Sequence, residues 1–118
     1  MRKLVCVLVA LIGATPVAAS DFQRVQDRQN FVSLINDRDL TRLGIRLTVS
    51  HDGRISGRAF GRRVSGDWTW NRGYFCRDLM VNGAVLDADN CQLVQVKGDT
   101  LRFTSDMGLG ASADLRLR

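Results

Sequence analysis

The chain holds one histidine, His51, and any acid–base mechanism that depends on an imidazole must use it. The neighbouring Asp52 could orient the ring, but the spacing places no serine or cysteine nucleophile against it. A histidine in a His-Asp-Gly turn is usually solvated. We therefore predict no catalytic residue, and the sequence leans towards a protein that is not an enzyme.

Two segments are similar to ligand-binding loops but lack a necessary part. The run DADN at 87–90 is similar to the start of a calcium loop, but Gln92 replaces the glycine of the sixth position and no acid occupies the twelfth. The run at 108–113 fits the dinucleotide pattern G-x-G-x-x-A, but the few residues after it cannot form the phosphate-binding helix. The sequence predicts neither a metal site nor a cofactor.

The densest aromatic cluster lies at 68–75. Packing of these rings in the core is favoured, because aromatic side chains carry the largest apolar area per residue and this chain has few. Alternatively, they hold a small ligand inside a barrel or at its mouth, with an arginine as the charge partner. The candidate ligand-binding residues are Trp68, Trp70, Tyr74, Arg77 and Arg102.

The first nineteen residues have the three parts of a secretory signal peptide. Arg2 and Lys3 form the basic start, residues 4–12 are an apolar run, and small residues lead to Ala19. The apolar run is shorter than the roughly 20 residues that span a bilayer. We expect cleavage after Ala19, which leaves one domain at 20–118 without a transmembrane segment, in the periplasm or outside the cell.

The mature chain keeps two cysteines, Cys76 and Cys91. An exported protein meets an oxidising environment, so the two are predicted to form a disulfide. Removing Arg2 and Lys3 from the 17 basic residues leaves 15, against 12 acidic residues. This mild excess supports solubility but falls short of the basic stripe that a nucleic-acid-binding protein needs.

One helix is expected near the new N-terminus, because Asp27 can cap it and an apolar face follows at helical spacing. That face is formed by Phe31, Leu34 and Ile35, and the helix should end near Asn36. Beyond it, apolar and polar residues alternate, which is typical of strands. Turn signals divide this part into seven or eight short strands. The turn signals lie at 51–53, 71–73, 82–83 and 98–99.

The turns also predict which residues face each other. The second turn, taken as a three-residue loop, puts Trp70 opposite Tyr74 and places Cys76 on the same face as the two indoles. The third turn, taken literally, puts Cys91 opposite Tyr74. A bulge within 87–90 must then bring the two sulfurs into bonding range.

Short strands joined by hairpins leave no room for crossover helices, so the sheet should be antiparallel. A sheet of seven or eight twisted strands removes its edges best by closing on itself. The expected fold is therefore mainly β: one N-terminal helix and a seven- or eight-stranded antiparallel sheet that is barrel-like or strongly curled, in a single disulfide-stapled domain.

Five segments resemble a family of small exported alphaproteobacterial proteins and span most of the mature domain. They are GRAFG at 57–61, GDWTW at 66–70, GYFCR at 73–77, NCQ at 90–92 and LRFTSD at 101–106. Members are often labelled dihydrodipicolinate reductase, which would imply a nicotinamide-dependent oxidoreductase with a Rossmann domain and a substrate domain. The Gly-x-Trp at 66–68 is also similar to a motif of lipocalin-like barrels, where it belongs to the first strand.

These observations favour a non-catalytic periplasmic domain, without a cofactor, that binds a small anionic or amphipathic ligand or an envelope partner. The reductase activity of the family label is one alternative, although a mature chain this short holds a single domain. Another alternative is an inhibitor of a lysozyme-like hydrolase. A lysozyme is usually basic, so its inhibitor should present an acidic face, and the positive net charge argues against this.

Overall fold

The computed structural model describes residues 21–118, so the signal peptide expected at 1–19 and its cleavage after Ala19 lie outside the described residues. The elements in chain order are β1 (Gln23–Arg24), α1 (Arg28–Ile35), β2 (Asp39–Arg42), β3 (Ile45–Val49), β4 (Arg54–Ala59), β5 (Arg62–Asn71), β6 (Tyr74–Val81), β7 (Ala84–Lys97), β8 (Thr100–Thr104), the single turn α2 (Ser105–Gly108) and β9 (Ser112–Leu117).

The strands β2 to β9 form a closed antiparallel barrel. Each pairs with the next along the chain, and β9 pairs back with β2, while the short β1 adds to the side of β7. The predicted fold class is confirmed. The sequence did not reveal β2, because its four residues include one buried apolar side chain, Leu40, and this is too little for an alternating pattern.

Because the barrel strands alternate in direction, their connections gather at two ends. The connections at 43–44, 60–61, 82–83 and 105–111 lie at one end, which we call the open end. Those at 50–53, 72–73 and 98–99 lie at the other, the closed end. The helix α1 belongs to the closed end, where the Arg28 Nη2 donates a hydrogen bond to the backbone oxygen of His51 at 2.6 Å.

The helix begins and ends as the sequence predicts. The Asp27 carboxylate accepts a hydrogen bond from the Asn30 backbone N–H at 2.8 Å, and the Asn36 N–H closes the last turn on Val32. Phe31 and Ile35 are fully buried against the barrel core. Among the described residues, no helix is long and apolar enough to cross a membrane.

The turn at 71–73 differs from its prediction by one residue. Trp70 pairs with Phe75, and Tyr74 pairs with Asn71, because the connection is a two-residue loop at 72–73. Both loop residues have positive φ, 55° at Arg72 and 88° at Gly73, as a type I′ turn requires. The expected grouping of the phenol and the half-cystine with the indoles is therefore wrong: Phe75 shares their inner face, and Tyr74 and Cys76 point outward.

One bulge lies within 87–90, as predicted, and a second, which was not predicted, lies at 85–87. Val81 pairs with Ala84 at the turn, and register shifts follow on both sides of Leu79, so that β7 carries two residues more than β6. This offset brings Cys76 directly opposite Cys91, and the two form a disulfide. Two other pairings agree with the turn signals: Val49 with Ile55, and Val96 with Leu101.

Candidate functional site

The barrel interior contains a cavity of about 110 Å³. Its position follows from strand alternation, since the inward side chains of seven strands, all of the barrel strands except β5, meet above the aromatic rings packed at the closed end. The apolar lining residues are Leu40, Leu47, Val49, Ile55, Phe75, Leu79, Phe103, Ala113 and Leu115. Of the described residues that line the cavity, Arg77 alone carries a charge, and Gln92 is the other polar one.

A chain of hydrogen bonds leads from Arg77 along the cavity edge. The Arg77 Nη1 lies 3.2 Å from the Asp87 Oδ2, which also accepts a hydrogen bond from the Asn90 Nδ2 at 2.8 Å. The Ser105 Oγ then accepts from Asn90 at 3.2 Å and from the buried Gln92 at 3.3 Å. These bonds tie together β6, both halves of β7, and the turn that follows β8.

The Asp87 carboxylate stays ionised at neutral pH. The hydrogen bond from Asn90 lowers the pKa of Asp87 most, burial opposes that effect, and the charge of Arg77 lowers the pKa further. The Arg77 side chain is 16% exposed and that of Asp87 is 41% exposed. The more exposed Asp87 thus holds the Arg77 guanidinium at the cavity. A guanidinium has five N–H donors, so several remain available to bind a ligand.

Two other carboxylates also have a lowered pKa. For Asp52 the main cause is a hydrogen bond from the Ser50 hydroxyl, and for Asp114 it is the two-bonded pair with Arg102. When folding lowers the pKa of a carboxyl group, its ionised form stabilises the folded state. This stabilisation is fully present at pH values above the unfolded-state pKa, and it is lost as the pH falls through the folded-state pKa.

We predict that the stability of the domain is nearly constant from pH 7 to about pH 5 and declines as the pH falls through and below 3.8, the ordinary aspartate value. The decline should be modest, because all three groups are exposed enough for water to screen them. Urea midpoints measured from pH 7 to pH 2.5 test this, with Asp87→Asn as a variant whose decline should be shallower. A midpoint that rises on acidification would contradict the sign.

The two indoles are brought together in the core at the closed end. The Trp68 Nε1 donates to the Ser50 backbone oxygen at 2.9 Å, and this indole is buried. Trp70 is half-buried and stacks on Phe31 with ring centroids 5.2 Å apart. Its Nε1 is buried with no hydrogen-bond partner among the described residues. Both rings pack under the floor of the cavity rather than along its wall.

Tyr74 and Arg102 lie on the outer surface of the barrel, away from the cavity. The Arg24 guanidinium sits 4.9 Å from the centre of the Tyr74 ring. Arg102 is held between Asp114, at 2.8 Å from its Nε, and the Phe22 ring, at 3.9 Å. Of the five residues proposed from the sequence, Arg77 is therefore the one that reaches the cavity.

The other sequence motifs are placed on the surface. The His51 ring is exposed in the connection at 50–53. Asp87, in the calcium-like run, is paired with Arg77, and Asp78 accepts a hydrogen bond from the Asp89 backbone N–H. Within residues 21–118, no group of three or more histidine, cysteine or acidic side chains is arranged to hold a metal ion.

Sequence reasoning missed the polar residues that accompany Arg77. Asn90 and Gln92 occupy inward positions of β7, in register with the buried Val94. Two polar residues at alternate positions, followed by a buried apolar residue two positions later, could have indicated a polar patch on the inner face of this strand. The two bulges hid it, because they shift the inward face in the middle of β7.

In comparisons with protein families, curated proteins and solved structures, no family model, no curated protein and no solved structure matches this chain.

Proposed function

We propose that this chain is a non-catalytic binding domain of an oxidising compartment, the periplasm or the exterior, that holds a small amphipathic molecule with an anionic group inside its barrel. The observation that carries the proposal is the apolar cavity with a single charged lining residue, Arg77. A site of this kind takes an apolar body into the cavity and uses one well-placed polar group for orientation.

The size of the cavity limits the ligand. A cavity of roughly 150 Å³ holds a benzene molecule, so the smaller volume of about 110 Å³ in this barrel favours a short aliphatic acid over an aromatic one. A carboxylate is the best match for the head group, because the guanidinium of Arg77 offers parallel donors at carboxylate spacing. The disulfide between Cys76 and Cys91 supports the compartment, since such bonds persist where thiols are oxidised.

We predict that pentanoate binds the domain and that Arg77→Met weakens this binding about 10- to 100-fold, the worth of a hydrogen bond to a charged group. Methionine keeps much of the aliphatic stem and removes the charge. The measurement is a titration followed by amide NMR shifts, which should move for residues around the cavity, such as Leu79 and Ala113.

Three controls make the titration selective. Pentanamide, which has the same shape without the charge, should bind much more weakly than pentanoate. Arg102→Met removes an equal charge from the outer surface and should leave binding unchanged. NADH should not quench the fluorescence of Trp68 and Trp70 in a saturable way. Equal binding of acid and amide, or saturable NADH quenching, would contradict the proposal.

A further inference from the structure

Among residues 21–118, the large apolar side chains that remain exposed are concentrated at the open end. They lie on or beside the four connections of that end and are Leu43, Phe60, Val85, Leu86, Met107 and Leu109. The connections of the closed end carry polar residues and glycine instead: SHDG at 50–53, RG at 72–73 and GD at 98–99. Such one-sided exposure on separate loop tips marks an interaction surface.

Three of the four tips touch. The Phe60 ring lies over Gly44, so closely that a Cβ on that glycine would come 2.5 Å from the Phe60 Cε1. The next contact is a pair of hydrogen bonds, in which the Arg63 N–H donates to the Asn82 side chain at 3.1 Å and the Asn82 N–H donates to the Arg63 backbone oxygen at 2.8 Å. Leu43 and Phe60 therefore project from one continuous surface.

Phe60 occupies a backbone position that does not suit it. The loop at 60–61 has φ of 52° at Phe60 and 79° at Gly61, the signature of a type I′ turn. Asparagine and glycine are favoured at such positions, and a bulky residue there is strained. The neighbouring loop at 82–83 uses the favoured Asn-Gly. Phe60 is 73% exposed as a residue, so its packing over Gly44 offsets little of this strain, which points to a contact outside the chain.

The charge around these two tips is mainly positive, and Asp114, which lines a shallow surface pocket with Arg42, Leu43 and Arg46, is an acidic neighbour. Between residues 42 and 66 the one acidic residue is Asp52, which lies at the closed end. The basic residues on the tips and on the strand ends beside them are Arg42, Arg46, Arg58, Arg62 and Arg63, here called the basic collar. Among the described residues, Arg46 has an ion pair, with Asp39 at 3.5 Å, whereas Arg62 and Arg63 have none within 4 Å.

We infer that the open end of the barrel docks on an anionic lipid bilayer, with Leu43 and Phe60 inserted at the acyl boundary and the basic collar at the lipid phosphates. The order of apolar and basic residues on this surface favours a membrane as the partner. The apolar side chains lie outermost on separate turns, and the arginines lie just behind them, nearer the barrel. In a bilayer the acyl chains lie deeper than the head groups, so the apolar side chains would reach the acyl chains and the arginines would contact the phosphates. The inference is independent of the proposed ligand, since it rests on the outer surface alone.

The test is flotation of the purified protein with vesicles of pure phosphatidylcholine or of phosphatidylcholine with phosphatidylglycerol. The protein should float with the anionic vesicles and not with the neutral ones. Each basic side chain near an anionic surface is worth about fivefold in partitioning, so Arg62→Gln with Arg63→Gln should weaken binding about 30-fold at low salt. Arg54→Gln with Arg72→Gln removes the same charge at the closed end and should change little.

Phe60→Asn separates docking from folding. Asparagine suits the type I′ turn, so this variant should melt no lower than the parent protein while losing at least about tenfold in vesicle binding. Binding to neutral vesicles that equals binding to anionic ones, an equal loss in the closed-end variant, or full binding by Phe60→Asn would overturn the inference. Tighter association with a short DNA duplex than with the vesicles would do so as well.

Discussion

Replacement of Phe31 by alanine is expected to destabilise the domain by about 3–5 kcal/mol, the usual cost of deleting a buried aromatic ring. Phe31 is fully buried and is the centre of the aromatic cluster. Its ring centroid lies within 6.4 Å of four other rings, those of Trp68, Trp70, Phe75 and Phe103. The chain around the ring cannot collapse into the gap, because the barrel walls are held by strand pairing on every side.

Thermal and urea unfolding followed by circular dichroism measure this effect. Total stability of a small domain is roughly 5–15 kcal/mol, so the variant should be barely folded at 37 °C or melt far below the parent. Gln29→Ala is the matched control, because Gln29 is an exposed position of the same helix. A loss below about 1 kcal/mol for Phe31→Ala would mean that α1 does not contribute to the barrel core.

The helix shows why part of this fold could be predicted from the sequence. Its cap and its buried face depend on residues within one turn of each other, Asp27 with Asn30 and Phe31 with Ile35. Local chemistry decides such features, and the same holds for the turn at 51–53, whose Gly53 has φ of 95°. Hairpin spacing then predicted a closed sheet, since each strand pairs with its neighbour in the chain.

The register beyond the second turn could not be predicted by the same means. Both Asn71-Arg72-Gly73 as three residues and Arg72-Gly73 as two are possible loops, and the choice depends on which face is buried in the barrel. A shift of one residue turns every side chain to the other face. Phe75 fills the core position, and Tyr74 lies partly exposed on the outer face, so the barrel core does not have to bury a phenol hydroxyl.

The candidate site depends on that register even more than the fold does. Arg77 faces inward because Phe75 does, and the two bulges of β7 set Asn90 opposite Arg77 and Gln92 opposite Phe75. No short-range signal in the sequence specifies where a strand takes up extra residues. The sequence offered both Arg77 and Arg102 as charge partners for a ligand, on the basis of residue type alone. Only the strand pairing shows that Arg77 lines the cavity and that Arg102 pairs with Asp114 on the outer surface.

Loss of the disulfide, by reduction or by Cys76→Ser with Cys91→Ser, is expected to lower stability by about 3 kcal/mol, the loop-closure value for about 15 residues. The two half-cystines are 15 residues apart. For a domain of this size each kcal/mol corresponds to roughly 4–8 °C in melting temperature, so the melting temperature should fall by about 12–24 °C. Differential scanning calorimetry with and without a phosphine reductant measures the shift.

The position of the disulfide gives this prediction a second, local consequence. The bond joins β6 and β7 just before the bulges that place Arg77 beside Asp87 and Asn90. Its loss should therefore loosen the β6–β7 hairpin first, and amide hydrogen exchange should quicken at 77–90 more than in β3 or β4. Reductant should cause no further change in the double serine variant, and the oligomeric state should stay the same. A melting temperature that does not move on reduction, or exchange that quickens evenly around the barrel, would show that strand pairing alone holds the bulged register.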